Sequence, residues 1–176
     1  MSEAAAVALL DPKYPHNVGQ VLRACAAYGV RRLMFTGERM KRSLAVLRRL
    51  PREERLRGYQ SVSLDHCERP FDEFPDFTPV AVEVRKNSEP LPSFEHPERA
   101  LYVFGPEDGG IGSAALAQCH RFVAIPSAHC LNLSMAVGIV LYDRQAKRDP
   151  QRGLDLSEPA KPGYFDVRDY LPNPDK

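Results

Sequence analysis

Short apolar runs alternate with stretches of helical period along this chain, and that alternation admits few architectures. Residues 5–10, 33–35, 79–84, 101–104 and 122–125 read as strands, with 62–64 a possible short addition. Between the first two, Val18, Val21, Leu22, Cys25 and Ala26 follow the i, i+3, i+4, i+7, i+8 spacing of one helical face, and Gly29 stops that helix as a C′ glycine would. Residues 43–56 read as a basic helix broken at Pro51, and Ser113 is placed to cap a helix over 114–119. The last helix, 131–147, is apolar on nearly all sides to Tyr142 and is expected to be buried throughout. Residues 86–98 hold three prolines and read as loop. Strands alternating with helices predict an α/β fold with a mostly parallel sheet flanked by helices. In such sheets ligands sit beyond the carboxyl ends of the strands, so the turns there become the candidates for chemistry. The expected division is one domain over residues 1–148 and a proline-rich tail over 149–176, in which Tyr164, Phe165 and Tyr170 are possible anchors.

Several classes drop out. No segment reaches the roughly 18–20 apolar residues of a membrane span, and residues 1–10 lack the basic start of a signal peptide. The cysteines, Cys25, Cys67, Cys119 and Cys130, form no C-x-x-C pair, which argues against zinc and for free thiols in a reducing cytoplasm. Net charge is only +1, but residues 38–57 carry eight basic side chains against three acidic ones. By default that stretch is a solvated helix face; phosphate contact is the sharper reading.

The turn Gly105-Pro106-Glu107-Asp108-Gly109-Gly110-Ile111-Gly112 fails both familiar nucleotide patterns. Gly105-Pro106-Glu107 breaks the dinucleotide fingerprint, and Ile111-Gly112 stand where a phosphate loop needs Lys and Ser/Thr. Glu107 would repel phosphates but suits a ligand that is neutral or positive nearby, such as a sulfonium. Cys130 beside His129 is not a convincing nucleophile pair, because adjacent side chains rarely face each other and no third group orients them.

Three segments carry a resemblance. Asn17 to Gly29 resembles the pattern N-x-G-x-x-x-R-x-x-x-x-x-G. Val103 to Ile111 is similar to F-G-x-E-x-x-G-[LI]. Ile125-Pro126, followed by Leu131-Asn132-Leu133-Ser134-Met135-Ala136, is similar to I-P followed by S-L-N-x-[SA]-x-A. In order and in register, these resemble the motifs of the SpoU/TrmH branch of the SPOUT methyltransferases. The resemblance implies an α/β domain with a C-terminal trefoil knot, acting as a cytoplasmic homodimer. It also implies S-adenosylmethionine as cofactor, no metal, and a ribose 2′-hydroxyl of tRNA or rRNA as target. The alternatives are an RNA-binding protein on the same fold without catalysis, and an enzyme methylating a base nitrogen.

Carried onto this chain, the resemblance makes Arg23 the catalytic arginine, with Asn17 and Glu107 positioning it or the substrate. From its helix alone Arg23 would read as a solvated surface arginine, flanked by small Gly19, Ala26 and Ala27. A role holding the adjacent phosphate and steadying alkoxide charge suits it better than deprotonation. Asn17 could also cap its helix. Gly105, Ile125, Cys130, Leu131 and Asn132 match positions lining the cofactor pocket, and Val82, Glu83 and Val84 match its third wall more loosely. Cys130 stands where the pattern has serine, which weakens any hydrogen bond made there. The expectation is that no separate RNA-binding domain precedes the core, so that RNA contacts come from the core, the tail or a second subunit. In the last helix, Ala136 and Gly138 would permit close approach of that subunit.

Overall fold

The computed structural model describes residues 4–47 and 61–148. Seven parallel strands form one sheet: β1 (Ala5–Leu9), β2 (Arg32–Phe35), β3 (Ser63–His66), β4 (Thr78–Val82), β5 (Glu89–Pro90), β6 (Ala100–Phe104) and β7 (Arg121–Ala124). Their order is β3-β2-β1-β6-β4-β7-β5. Helices are α1 (Pro15–Ala27), α2 (Glu38–Leu47), α3 (Ser113–Leu116) and α4 (Leu133–Arg148).

Strand alternation sorts the core into two layers. Val7, Leu9, Leu33, Phe35, Tyr102 and Phe104 face a core shared with Val18, Val21, Leu22 and Cys25 of α1 and Val137, Val140 and Leu141 of α4. Their neighbours Ala6, Ala8, Met34, Leu101 and Val103 face a second core with Phe74, Phe77, Ile111 and Cys119. Both faces are covered, so the central strands β1 and β6 are buried at every position and read as unbroken apolar runs.

The structure differs from expectation at several elements. The helix α1 begins at Pro15, with Tyr14 at its N-cap, so Asn17 lies inside the first turn and does not cap it. Proline at the first helical position has the right φ and no N–H to lose. Ser113 is likewise the first residue of α3, not its cap; Gly112 holds that place. The proline-containing loop supplies an edge strand, since Glu89 and Pro90 pair with Val123 and Ala124 of β7. Proline is tolerated at such an edge. Finally, α4 is buried along one face only, leaving Met135 57% and Tyr142 62% exposed.

The basic helix α2 starts before the expected Ser43 because its cap comes from elsewhere in the chain. Gly37 turns the backbone with φ +76, and Asp11 Oδ1 accepts the Arg39 N–H at 3.4 Å. The rest of the basic stretch, 48–57, and the tail from 149 lie outside the described residues.

Candidate active site

Strands β4, β6 and β7 lie side by side and end together at Val82, Phe104 and Ala124. Beyond their carboxyl ends is a cavity of about 890 Å³. The start of α1, the glycine-rich turn after β6 and the loop between β7 and α4 close over it. Of the eleven residues named from sequence, ten line this cavity: Asn17, Val82, Glu83, Val84, Gly105, Glu107, Ile125, Cys130, Leu131 and Asn132. Arg23 does not line it. It stands exposed on α1, without a hydrogen bond or ion pair among the described residues.

A chain of side-chain hydrogen bonds ties the three segments. Glu107 Oε2 accepts the Lys13 N–H at 2.8 Å, and its Oε1 accepts Asn17 Nδ2 at 2.6 Å. Asn17 Oδ1 in turn accepts Asn132 Nδ2 at 3.0 Å. Asn132 caps α4: its Oδ1 accepts the Ser134 N–H at 2.9 Å and lies 2.7 Å from Ser134 Oγ. The Ser134 hydroxyl also reaches Gln20 Oε1 at 2.6 Å, returning the network to α1. Both ends of the Asn17 amide are thereby used, and the residue is 1% exposed. Burial disfavours the Glu107 carboxylate, but bonds from the Lys13 N–H and the Asn17 amide outweigh it and hold the group below its ordinary pKa.

The glycine-rich turn doubles back on itself. A Cβ on Gly105 would run into the backbone of Gly110 and Ile111, so only glycine permits this closure. Gly110 sits at φ +66, against the Glu83 carboxylate. Glu83 Oε2 accepts the Ile111 N–H at 2.9 Å, and Oε1 accepts the Val84 N–H at 3.2 Å, bracing the turn from β4. On the turn's outer side Arg39 bonds Asp108 at 3.0 Å and Asp11 at 2.8 Å, and Lys13 Nζ lies 3.4 Å from Asp108.

The lining also includes residues that sequence reasoning passed over. Tyr14 and His16 stack at the mouth with centroids 5.4 Å apart. Pro15 was the available signal, since it moves the helix start back and places both residues at the cavity. Ser127 donates to the His129 carbonyl at 2.8 Å and shapes the loop before Cys130, whose thiol is exposed.

Known proteins match this chain over a span that includes these segments. The SpoU rRNA Methylase family matches residues 4–142. The chain belongs to that family. Among SpoU relatives, the 23S rRNA (guanosine-2′-O-)-methyltransferase RlmB of Nitrosomonas europaea is 26% identical over 91% of this chain, which spans 63% of that protein's length. The solved TrmH/SpoU tRNA modifying enzyme of A. aeolicus superposes with a TM-score of 0.72 at 22% identity, covering 85% of this chain and 78% of that one. The SpoU methyltransferase AviRb of Streptomyces viridochromogenes, solved in complex with AdoMet, gives 0.66 at 20% identity, over 84% of this chain and 59% of that one. The SpoU fold is therefore shared.

Proposed function

We propose that this chain is an S-adenosylmethionine-dependent methyltransferase acting on a ribose 2′-hydroxyl of tRNA or rRNA. The observation carrying the proposal is the Glu107–Asn17–Asn132 hydrogen-bond chain, which gathers all three motif segments around one cavity. The cavity suits the cofactor. Apolar side chains such as Phe104, Ile125 and Leu131 line it beside a few polar groups, it is large enough for a folded nucleoside, and Gly105 leaves open a cradle that any Cβ would close. RlmB is named as a 2′-O-methyltransferase, and AviRb was solved with AdoMet; both support the reading.

When bound, the cofactor supplies a methyl group on a sulfonium centre. The protein's part is alignment, exclusion of water and electrostatics. Asn17, fixed at both ends, holds Glu107 and the start of α4 in register. Arg23, without a partner among the described residues, offers a guanidinium for a substrate phosphate and for developing alkoxide charge. Asn17 and Arg23 are about 9 Å apart along α1, so the RNA would span from the cavity mouth to that arginine. The proposal includes the trefoil threading of the family, a cytoplasmic setting, and pairing of two copies. Exposed Met135 and Tyr142 of α4, with Tyr28 packed edge-on to Tyr142, support pairing. No helix among the described residues is long and apolar enough to cross a membrane.

The test is incubation of the full chain with labelled methyl donor and RNA from cells lacking the gene, followed by digestion to nucleosides. Label in a 2′-O-methylnucleoside is expected. Label on a base nitrogen, or none with any RNA, would overturn the proposal. Arg23→Ala should lower turnover by about 100-fold or more while leaving the fold and cofactor affinity intact.

A further inference from the structure

The carboxylates of the cavity wall face no permanent cation. Glu83 and Glu107 line it with the imidazoles of His16 and His129, and no lysine or arginine does among the described residues. The cations bonded to the same turn, Lys13 and Arg39, are paired with Asp108 and Asp11. The two carboxylates are not equivalent. Glu107 has each oxygen in a short bond, one to a side-chain amide and one to a backbone N–H. Glu83 Oε2 is similarly held by the Ile111 N–H, whereas Oε1 has only the 3.2 Å contact from the adjoining Val84 N–H. Glu83 is half-buried at the end of β4, where water screens it incompletely. Its negative charge faces a ligand space with no fixed cation in the wall to offset it.

We infer that Glu83 makes this cavity select a cationic methyl donor over its neutral product. The inference rests on the cofactor assignment above. S-Adenosylmethionine carries a sulfonium charge that S-adenosylhomocysteine lacks, and the two are otherwise alike in their adenosine and amino-acid groups. A carboxylate in the wall therefore favours the first by the sulfonium charge, since the ammonium and carboxylate of the amino-acid end are common to both. Loss of the sulfonium charge on transfer weakens binding at the moment the product should leave. The hydrogen-bonding role of Glu83 is separable from this. A glutamine at the same position still accepts the Ile111 N–H and so preserves the turn, but carries no charge.

The experiment is calorimetric titration of the full chain with S-adenosylmethionine and, separately, with S-adenosylhomocysteine, for the native protein, Glu83→Gln and Glu83→Asp. For Glu83→Gln the donor is expected to bind about three- to tenfold more weakly, with product affinity held, as one charge acting across a partly screened pocket predicts. Glu83→Asp should keep the native preference. The donor-to-product preference of the native protein should also shrink as salt is raised. An unchanged preference in Glu83→Gln would overturn the inference, as would equal loss of both ligands, which would make Glu83 a brace of the turn alone. Binding of neither ligand by the native chain would instead remove the cofactor assignment, and this inference with it.

Discussion

Asn17 has its side chain bonded at both ends inside a buried position, and its neighbours depend on it. Asn17→Ala would leave Glu107 Oε1 and Asn132 Nδ2 without their partner, at a cost of about 1–3 kcal/mol. Thermal denaturation should register that loss as a lower Tm, together with weaker cofactor binding by calorimetry. A surface change such as Gln118→Ala should do neither, since the Gln118 amide reaches only the exposed Ala114 carbonyl of the preceding helix among the described residues. The position of Asn17 was legible from the motif, but its physical role was not. A local reading offers a helix cap, because asparagine before an apolar period commonly serves as one. Pro15 takes the chain into the helix three residues earlier than an Asn17 cap would, and the Asn17 amide meets Glu107 and Asn132, partners 90 and 115 residues away in sequence. Local pattern cannot supply partners at that separation.

At the scale of elements, α4 is fastened along its buried face by a polar cluster. Arg144, 5% exposed, donates to the carbonyls of Ala4, Pro97 and Glu98 and to the Tyr102 hydroxyl. Tyr102 Oη lies 2.6 Å from His96 Nδ1, and His96 Nε2 lies 2.8 Å from Asp143. Burial pushes the His96 pKa down; Asp143 opposes this, while Arg144 and Lys147 reinforce it. The unfolded chain, with an ordinary histidine near pH 6.5, therefore binds the proton more readily than the folded one. The resulting stability is present above about pH 6.5 and is lost as the pH falls below it. Melting curves should show Tm dropping between pH 7 and pH 5.5, by less in His96→Gln. Periodicity read α4 as apolar all round because Arg144 and Asp143 fall in its last turns, past the stretch that looked buried. The glycine-rich turn was more legible, since glycine spacing excluded two nucleotide loops. Gly105→Ala should force the turn open, weakening cofactor binding at least about tenfold in titrations while the two cores keep the chain folded.

For the whole molecule, the sequence carried the architecture well because a doubly covered parallel sheet writes itself as unbroken apolar strands. Residues 5–9 and 100–104 are such strands, and they sit at the sheet's centre. The edge strand at Glu89–Pro90 was unreadable because an exposed two-residue pairing needs no apolar pattern. Ten of the eleven residues named from sequence converge on one cavity, while Arg23 stays on the exposed face of α1. The proposed function requires that convergence to form one ligand site. Hydrogen–deuterium exchange of the full chain, with and without S-adenosylhomocysteine, addresses it most directly. Slowed exchange is predicted together in residues 14–20, 105–111 and 125–133, with the far edge at β3 unchanged. Protection confined to one of those segments, or appearing only elsewhere, would contradict it.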